Sequence, residues 1–181
     1  MELHFYTDGS SHKLKDNSCG GYGIVAFDNN NILIGCYQKQ YSYPVTNNQM
    51  ELSAILKTFE IKEKFYKNEP IIIYSDSAYC INALSSWIYT WSNNGWINSK
   101  NQTIENLILF QSIYLYYNKE FFLSQIEFKK IHGHAGIIGN ELADALAQKN
   151  KNKFQNLILK NKIKLSENLE DFIGENEKFL L

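Results

Sequence analysis

The chain has 181 residues, 44% of them hydrophobic and 20% charged, with two prolines and a formal net charge of −1. These values fit one folded domain with a sizeable core. No apolar stretch approaches the ~20 residues of a membrane helix, and Met1–Tyr6 lacks the charged and apolar regions of a signal peptide, so a cytoplasmic protein that does not enter a membrane is expected. The three cysteines, Cys19, Cys36 and Cys80, are odd in number and lack zinc-ligand spacing. They read as reduced thiols.

In chain order, Leu3–Thr7 is an apolar and aromatic strand that ends in a turn at Asp8-Gly9-Ser10. Gly20–Phe27 and Ile32–Gln40 read as a hairpin around the turn cluster Asp28-Asn29-Asn30-Asn31. Asn47–Phe65 has helical spacing through Met50, Ile55, Phe59 and Lys62. Ile71–Tyr74 is a β-branched run of the kind buried on both faces of a sheet. Asp76-Ser77 can cap a helix running to about Trp87, and Trp91–Gln102 is polar and turn-rich, a protrusion. Ile104–Tyr117 reads as a helix, Gln125–Ile131 as a strand, Gly133–Gly139 as a glycine-rich loop and Asn140–Lys149 as a helix. Three strands followed by strands alternating with helices predict an α/β (α+β) fold, a mixed sheet with helices on its faces.

Four acids stand at element boundaries: Asp8 ending the first strand, Glu51 in the first turn of the long helix, Asp76 ending the central strand and Asp144 in the last helix. Ends of adjacent strands lie about 4.8 Å apart, so Asp8 and Asp76 can be neighbours, with Glu51 and Asp144 reaching them from flanking helices. Clustered carboxylates repel one another unless protons or cations compensate. Hard oxygen ligands suit Mg²⁺ or Mn²⁺ rather than zinc, and two such ions suit phosphodiester hydrolysis. Each acid alone is more often a solvated surface charge, and Asp76 can equally be a helix cap.

The local wording around these acids is more specific. Thr7-Asp8-Gly9-Ser10, Gly20-Gly21-Tyr22-Gly23, Thr46-Asn47-Asn48-Gln49-Met50-Glu51-Leu52, Ser75-Asp76-Ser77, Gly133-His134-Ala135-Gly136 and Asn140-Glu141-Leu142-Ala143-Asp144 follow one another. This set resembles type 1 ribonuclease H over roughly residues 1–150. The resemblance implies a five-stranded mixed sheet and an endonuclease that cuts the RNA strand of RNA–DNA hybrids with two Mg²⁺ ions, for which Mn²⁺ can substitute. It implies 5′-phosphate and 3′-hydroxyl products. It makes Asp8, Glu51, Asp76 and Asp144 the metal ligands and catalytic acids, with Asp8 bridging both ions. Asp144 would complete the ion that activates water, and Glu51 and Asp76 would hold the ion at the leaving oxygen. His134 would assist proton transfer or product departure, a task that suits an imidazole, unless it is a structural loop residue. Glu141 matches an acid with a minor role, and His132 matches none.

For the substrate, the resemblance places Asn47 and Asn48 in the minor groove of the hybrid, although Asn47 can also cap its helix. Glu51 would accept a bond from a 2′-hydroxyl. Thr46 and Asn106 would hold a DNA-strand phosphate. Trp87, Trp91 and Trp96 match an aromatic handle, with Trp87 the residue for stacking on nucleic acid; packing within the handle is the competing reading. The chain departs from the pattern at Ser11–Ser18, a longer loop in which Asn17 is the only candidate for a minor-groove asparagine. It departs also at the weakly basic handle Ser92-Asn93-Asn94-Gly95-Trp96 and at Ala78, where glutamine is common. These departures bear on affinity and salt tolerance rather than on catalysis.

The net charge of −1 argues mildly against a nucleic-acid binder, but charge is unevenly spread. Residues 119–164 hold nine lysines against four acids, and residues 165–181 hold five acids against one lysine. All 18 Lys and Arg positions are lysine, so phosphates must be held by point charges and backbone N–H groups rather than by guanidinium forks. Residues 151–181 read as a C-terminal extension to the catalytic domain. Its acids Glu167, Glu170, Asp171, Glu175 and Glu177 either form a solvated end or fold over the lysine-rich stretch. A monomeric, stand-alone enzyme is expected, because Met1 falls just before the first strand. The alternatives are a DNA-cutting nuclease of the same fold and a hybrid-binding module without catalysis.

Overall fold

The computed structural model describes residues 2–13 and 18–167. Asn17 and the acids Glu170, Asp171, Glu175 and Glu177 lie outside the described residues. The chain builds a mixed sheet from the inside outward. β1 (Leu3–Lys13) pairs antiparallel with β2 (Ser18–Phe27), from His4 opposite Phe27 to Lys13 opposite Ser18. β3 (Ile32–Tyr41) continues the meander. The turn between β2 and β3 is fixed by Asp28, whose Oδ1 accepts from the N–H groups of Asn30 and Ile32 at 2.9 and 2.8 Å. β4 (Ile71–Ser75) lies parallel to β1, and β5 (Ile126–Lys130) parallel to β4.

The order across the sheet is β5-β4-β1-β2-β3-β6. The sixth strand, β6 (Lys164–Leu165), corrects the expected count of five. It lies parallel to β3, and beyond it Ser166 N–H donates to Leu33 O at 2.9 Å. It satisfies part of an edge that would otherwise present unpaired backbone. Two residues are too few to leave an alternating pattern, so this strand has no sequence signature.

Alternation along β1 and β2 divides the core between two faces. Leu3, Phe5, Ile24 and Ala26 pack with α1 (Asn47–Phe65) and α4 (Leu107–Tyr117). Val25, Phe27, Leu33 and Cys36 pack with α6 (Ile138–Ala147) and α7 (Lys151–Lys160). Helix α1 has the expected bounds, and its cap is Thr46, not Asn47. The Thr46 hydroxyl accepts from Gln49 N–H while Gln49 Oε1 accepts from Thr46 N–H, a reciprocal capping box. At its other end Lys62 is fully buried, and its ammonium donates to the carbonyls of Tyr66, Lys67 and Glu69 and to Gln125 Oε1. That ties the end of α1 to the approach to β5.

Helix α2 (Ala78–Asn82) passes through a π-turn (Ala83–Trp87) into α3 (Ile88–Asn93). The helix therefore runs past Trp87 into the stretch that reads as a protrusion. Trp91 holds it by packing edge-on to Phe110, centroids 5.1 Å apart, and Trp96 packs on Tyr114 at 5.4 Å. A one-turn helix, α5 (Glu120–Leu123), leads into β5. No helix among the described residues is long and apolar enough to cross a membrane.

Residues 151–167 pack on the same core as the rest of the sheet's second face. Phe154 of α7 is fully buried among Val25, Leu33, Cys36 and Leu146. Phe154→Ala is expected to cost about 3–5 kcal/mol in urea denaturation. The loss should appear in the unfolding of the whole chain rather than as a separate early transition.

Candidate active site

β1 does not turn at Asp8-Gly9-Ser10 but runs on to Lys13, because its partner β2 supplies backbone bonds along that whole length. Asp8 is thus in mid-strand. The parallel register sets Tyr6 opposite Tyr74. Asp8, two residues further on in β1, and Asp76, just past the C-terminal end of β4, therefore come side by side. Gly9 lets α1 approach, since a Cβ there would collide with Glu51 N and with Met50. Glu51 is the fifth residue of α1 and so sits in its second turn, not its first. Ser77, not Asp76, caps α2: its Oγ accepts from Cys80 N–H at 3.2 Å. The Asp76 carboxylate is left free to face the site.

Asp8, Glu51 and Asp76 bring carboxylate oxygens within 4.8 Å of one another. Asp144, from α6, lies close enough to add to the repulsion felt at Asp8. The cluster is dry: Asp8, Glu51 and Asp144 are 7%, 3% and 6% exposed. Burial pushes the Asp8 carboxyl up to about 7, helped by the charges of Asp76 and Asp144 and opposed by hydrogen bonds from Glu51 and from Gly9 N–H. Burial, then the charges of Asp8 and Asp76, hold Glu51 well above the carboxylate range.

Asp144 is balanced differently. Gln148, one turn on, donates to its Oδ1, and Lys153 Nζ donates to its Oδ2 at 2.6 Å. Partial burial works against the Lys153 ammonium, but the hydrogen bond and charge of Asp144, with Glu141 3.5 Å away, outweigh it and raise the lysine pKa. Asp76 Oδ2 receives a long bond, 3.4 Å, from Asn140 Nδ2.

These residues fit a divalent cation. The donors are all carboxylate oxygens, the hard type that Mg²⁺ and Mn²⁺ prefer. Glu51 Oε2 is buried without a hydrogen-bond partner among the described residues, a costly state that a bound cation would relieve. A Cβ on Gly133 would press on Asp76 Oδ2, so the loop leaves that oxygen room.

His134 is exposed and holds a left-handed backbone, φ 54°. A ring nitrogen of His134 and carboxylate oxygens of Glu141 and Asp144 lie within 4.8 Å of one another. The structure thus joins His134 to the Asp144 side of the cluster. Asn47 Oδ1 accepts from Ser11 N–H at 3.0 Å, which holds the first residue of α1 against β1. Asn48 is half-buried beside it, and Thr46 is exposed at the cap. Asn106 and Trp87 belong to a separate surface, joined by Tyr79. Asn106 lies close enough to Tyr79 to act on its hydroxyl, and the Tyr79 ring lies 6.2 Å from that of Trp87. Asn106 also has a left-handed backbone, φ 58°, at the start of α4. Trp87 is 40% exposed, whereas Trp91 and Trp96 pack against the core. The handle therefore divides into one tryptophan that faces outward and two that hold the structure.

Sequence reasoning missed Lys153, Asn140, Gln148 and Tyr79 as neighbours of these residues. Gln148 was accessible from its i+4 spacing to Asp144 on one helix. Lys153 lies on the next helix, and no local spacing announces it.

Comparison with known proteins adds an independent finding. The sequence pattern of the RNase H family matches residues 1–152. A ribonuclease H of Symbiobacterium thermophilum is 34% identical over 151 residues, covering 81% of this chain and 92% of that protein. A foamy viral protease–reverse transcriptase in complex with RNA/DNA hybrid superposes with a TM-score of 0.70 at 21% identity, over 81% of this chain and 19% of that one. A type 1 RNase H with the type 2 active-site motif gives 0.68 at 22% identity, over 82% of this chain and 71% of that one. At those identities the two structures establish the fold.

The raised Asp8 pKa makes stability depend on pH in the metal-free protein. Between about 4 and about 7 the folded state holds a proton that the unfolded state has released. Stability therefore falls as pH rises through that window. Asp8→Asn removes the penalty, and at pH 8 in EDTA it is expected to stabilise the protein by about 1–3 kcal/mol. Urea denaturation at pH 5 and pH 8 checks this, and the gain should shrink at the lower pH.

Proposed function

The chain belongs to the ribonuclease H family, and from that premise we propose that it is an endonuclease that hydrolyses the RNA strand of RNA–DNA hybrids. The observation that carries the reading is the convergence of Asp8, Glu51 and Asp76 within 4.8 Å in a buried site beside Asp144. A module that only held the hybrid would have no need to keep so costly a cluster. One of the matched structures is itself a complex with RNA/DNA hybrid, in keeping with this substrate.

In this reading Asp8, Glu51, Asp76 and Asp144 hold two divalent cations, Mg²⁺ with Mn²⁺ as a substitute. The chemistry the ions supply when bound is neutralisation of the cluster and Lewis-acid activation of water and leaving group. The chain's own groups do the rest. The rigid strands β1 and β4 fix Asp8 and Asp76 relative to each other, which limits reorganisation during the reaction. Glu51, at the edge of the cluster nearest Asn47 and Asn48, is placed to accept a bond from the 2′-hydroxyl that distinguishes RNA from DNA. Asn47 and Asn48 contact the minor groove. His134, exposed on its loop beside Asp144, takes up or delivers a proton and assists the departure of the product. Its loop position gives the ring access to solvent. Thr46 and Asn106 contact a DNA-strand phosphate, and Trp87 offers its exposed face to a sugar or base. The products carry 5′-phosphate and 3′-hydroxyl ends.

The test is a cleavage assay on one labelled RNA strand, paired with DNA, paired with RNA or left single. Cutting of the hybrid alone is expected, requiring Mg²⁺ or Mn²⁺ and abolished by EDTA. Asp8→Asn should lower the rate by at least ~10²-fold. End-mapping of the fragments should show 5′-phosphates. A protein that binds the hybrid tightly but leaves it intact with either metal would sink the proposal, as would equal cutting of duplex DNA.

The surface around Tyr79 gives a second expectation. Trp87→Ala should raise KM for the hybrid by about 5- to 150-fold, matching the ~1–3 kcal/mol that a stacking aromatic contributes, with little change in kcat. Steady-state kinetics at two salt concentrations would show it.

A further inference from the structure

Charge compensation is unequal across the acid cluster. On one side no lysine among the described residues pairs with Asp8, Glu51 or Asp76, and Glu51 Oε2 is buried without a hydrogen-bond partner among them. On the other side a cation is already in place. Lys153 Nζ lies 2.6 Å from Asp144 Oδ2 and 3.5 Å from Glu141 Oε2. Other lysine pairs among the described residues, Lys57 with Glu60, Lys119 with Glu63 and Lys129 with Glu127, join side chains well exposed to solvent. The Asp144 side chain is 9% exposed.

The position of Lys153 is built into the fold. Only three residues separate α6 from α7, so the two helices must pack side by side. The Asn150 side chain caps α7 by accepting from the backbone N–H of Lys153 at 2.9 Å. The neighbouring Phe154 is driven fully into the core. With the backbone pinned on both sides, the lysine side chain is delivered to Asp144 from outside the family match. Its own exposure of 32% leaves room for the ammonium to withdraw.

We propose that Lys153 is a resident counter-cation that controls entry of the second divalent ion. It is a positioning residue, acting through Asp144, and the proposal rests on the reading of the four acids as metal ligands. While the ammonium is bound, Asp144 is neutralised and one of its oxygens is occupied. The first ion enters on the Asp8, Glu51 and Asp76 side, where no ammonium competes. The second must displace Lys153 from Asp144, and its affinity is lowered by that exchange. Binding of the two ions is therefore ordered, strong then weak, and the gap between them is set by a residue of α7.

The experiment is Mn²⁺ binding to the metal-free full chain, followed by the electron paramagnetic resonance of the free ion, without substrate. Wild type is expected to bind one ion tightly and a second weakly. K153M and K153Q, which keep a stem but lose the charge, should leave the first affinity unchanged and tighten the second by about tenfold or more. K153R, which keeps the charge, should retain the weak second site. D144N should remove the second ion in both the wild-type and K153M backgrounds. Equal second-ion affinities in wild type, K153M and K153Q would overturn the proposal, as would absence of a second ion from K153M. Hybrid cleavage measured on the same samples separates the two readings. Metal-dependent cutting with no shift in Mn²⁺ affinity discards the role of Lys153 and leaves the function standing.

Discussion

The constraint on which this structure turns is electrostatic. Four carboxylates are held near one another around β1 and the end of β4, with three of them almost wholly removed from solvent. Such a cluster is self-repelling, and burial makes each charge costlier still. It can persist only on a scaffold too rigid to relax, and the chain supplies one. The parallel register of β1 and β4 levels Asp8 with Asp76. Gly9 allows α1 to press on β1 so that Glu51 comes into range. The buried Lys62, with its four hydrogen bonds, secures the far end of that helix. Stability elsewhere offsets a site that in isolation would fly apart.

The same repulsion is answered by two chemistries. Asp8 and Glu51 respond with raised pKa values, driven first by burial. Asp144 responds with an amide and an ammonium, from Gln148 and Lys153. The first pair has no lysine counter-charge among the described residues, and Asp144 has one in Lys153. That asymmetry gives α7 a direct place in the chemistry of the site. By packing Phe154 into the core while carrying Lys153 to Asp144, the helix couples the integrity of the second sheet face to the charge state of the cluster.

Away from the acids, any grip on nucleic acid in the proposed function has lysine as its only strong cation, since the chain has no arginine. A lysine is a point charge and cannot fork around a phosphate, so orientation falls to neutral groups. Thr46, Asn47 and Asn48 lie together at the start of α1, where backbone N–H groups also face outward. Asn106, Tyr79 and Trp87 lie together on the second surface proposed to contact the hybrid. These groups are fixed by a capping box, by the bond from Ser11 to Asn47 and by aromatic packing. In the proposed function, that fixed geometry stands in for the bidentate forks that the composition denies.

The sequence by itself determined the identity of the four acids, the family wording around them, the bounds of α1 and the division into three strands followed by alternating elements. These are local properties. Helical and strand periods, turn residues and short motifs are written within a few positions of one another, and apolar β-branched runs such as Ile71–Ile73 leave little choice. Only the tertiary structure decided where β1 stops, since its continuation past Ser10 depends on bonds from β2. It also decided which residue caps each helix, Thr46 rather than Asn47 and Ser77 rather than Asp76, because capping depends on the angle at which the chain enters. β6 exists because β3 presents an open edge, and two residues cannot announce themselves. The pairing of Lys153 with Asp144 needed α7 to dock, and docking is settled by the fit of Phe154 into a pocket formed by β2, β3 and α6. A local pattern can name a charged side chain, but its counter-charge is chosen by whatever the fold brings beside it.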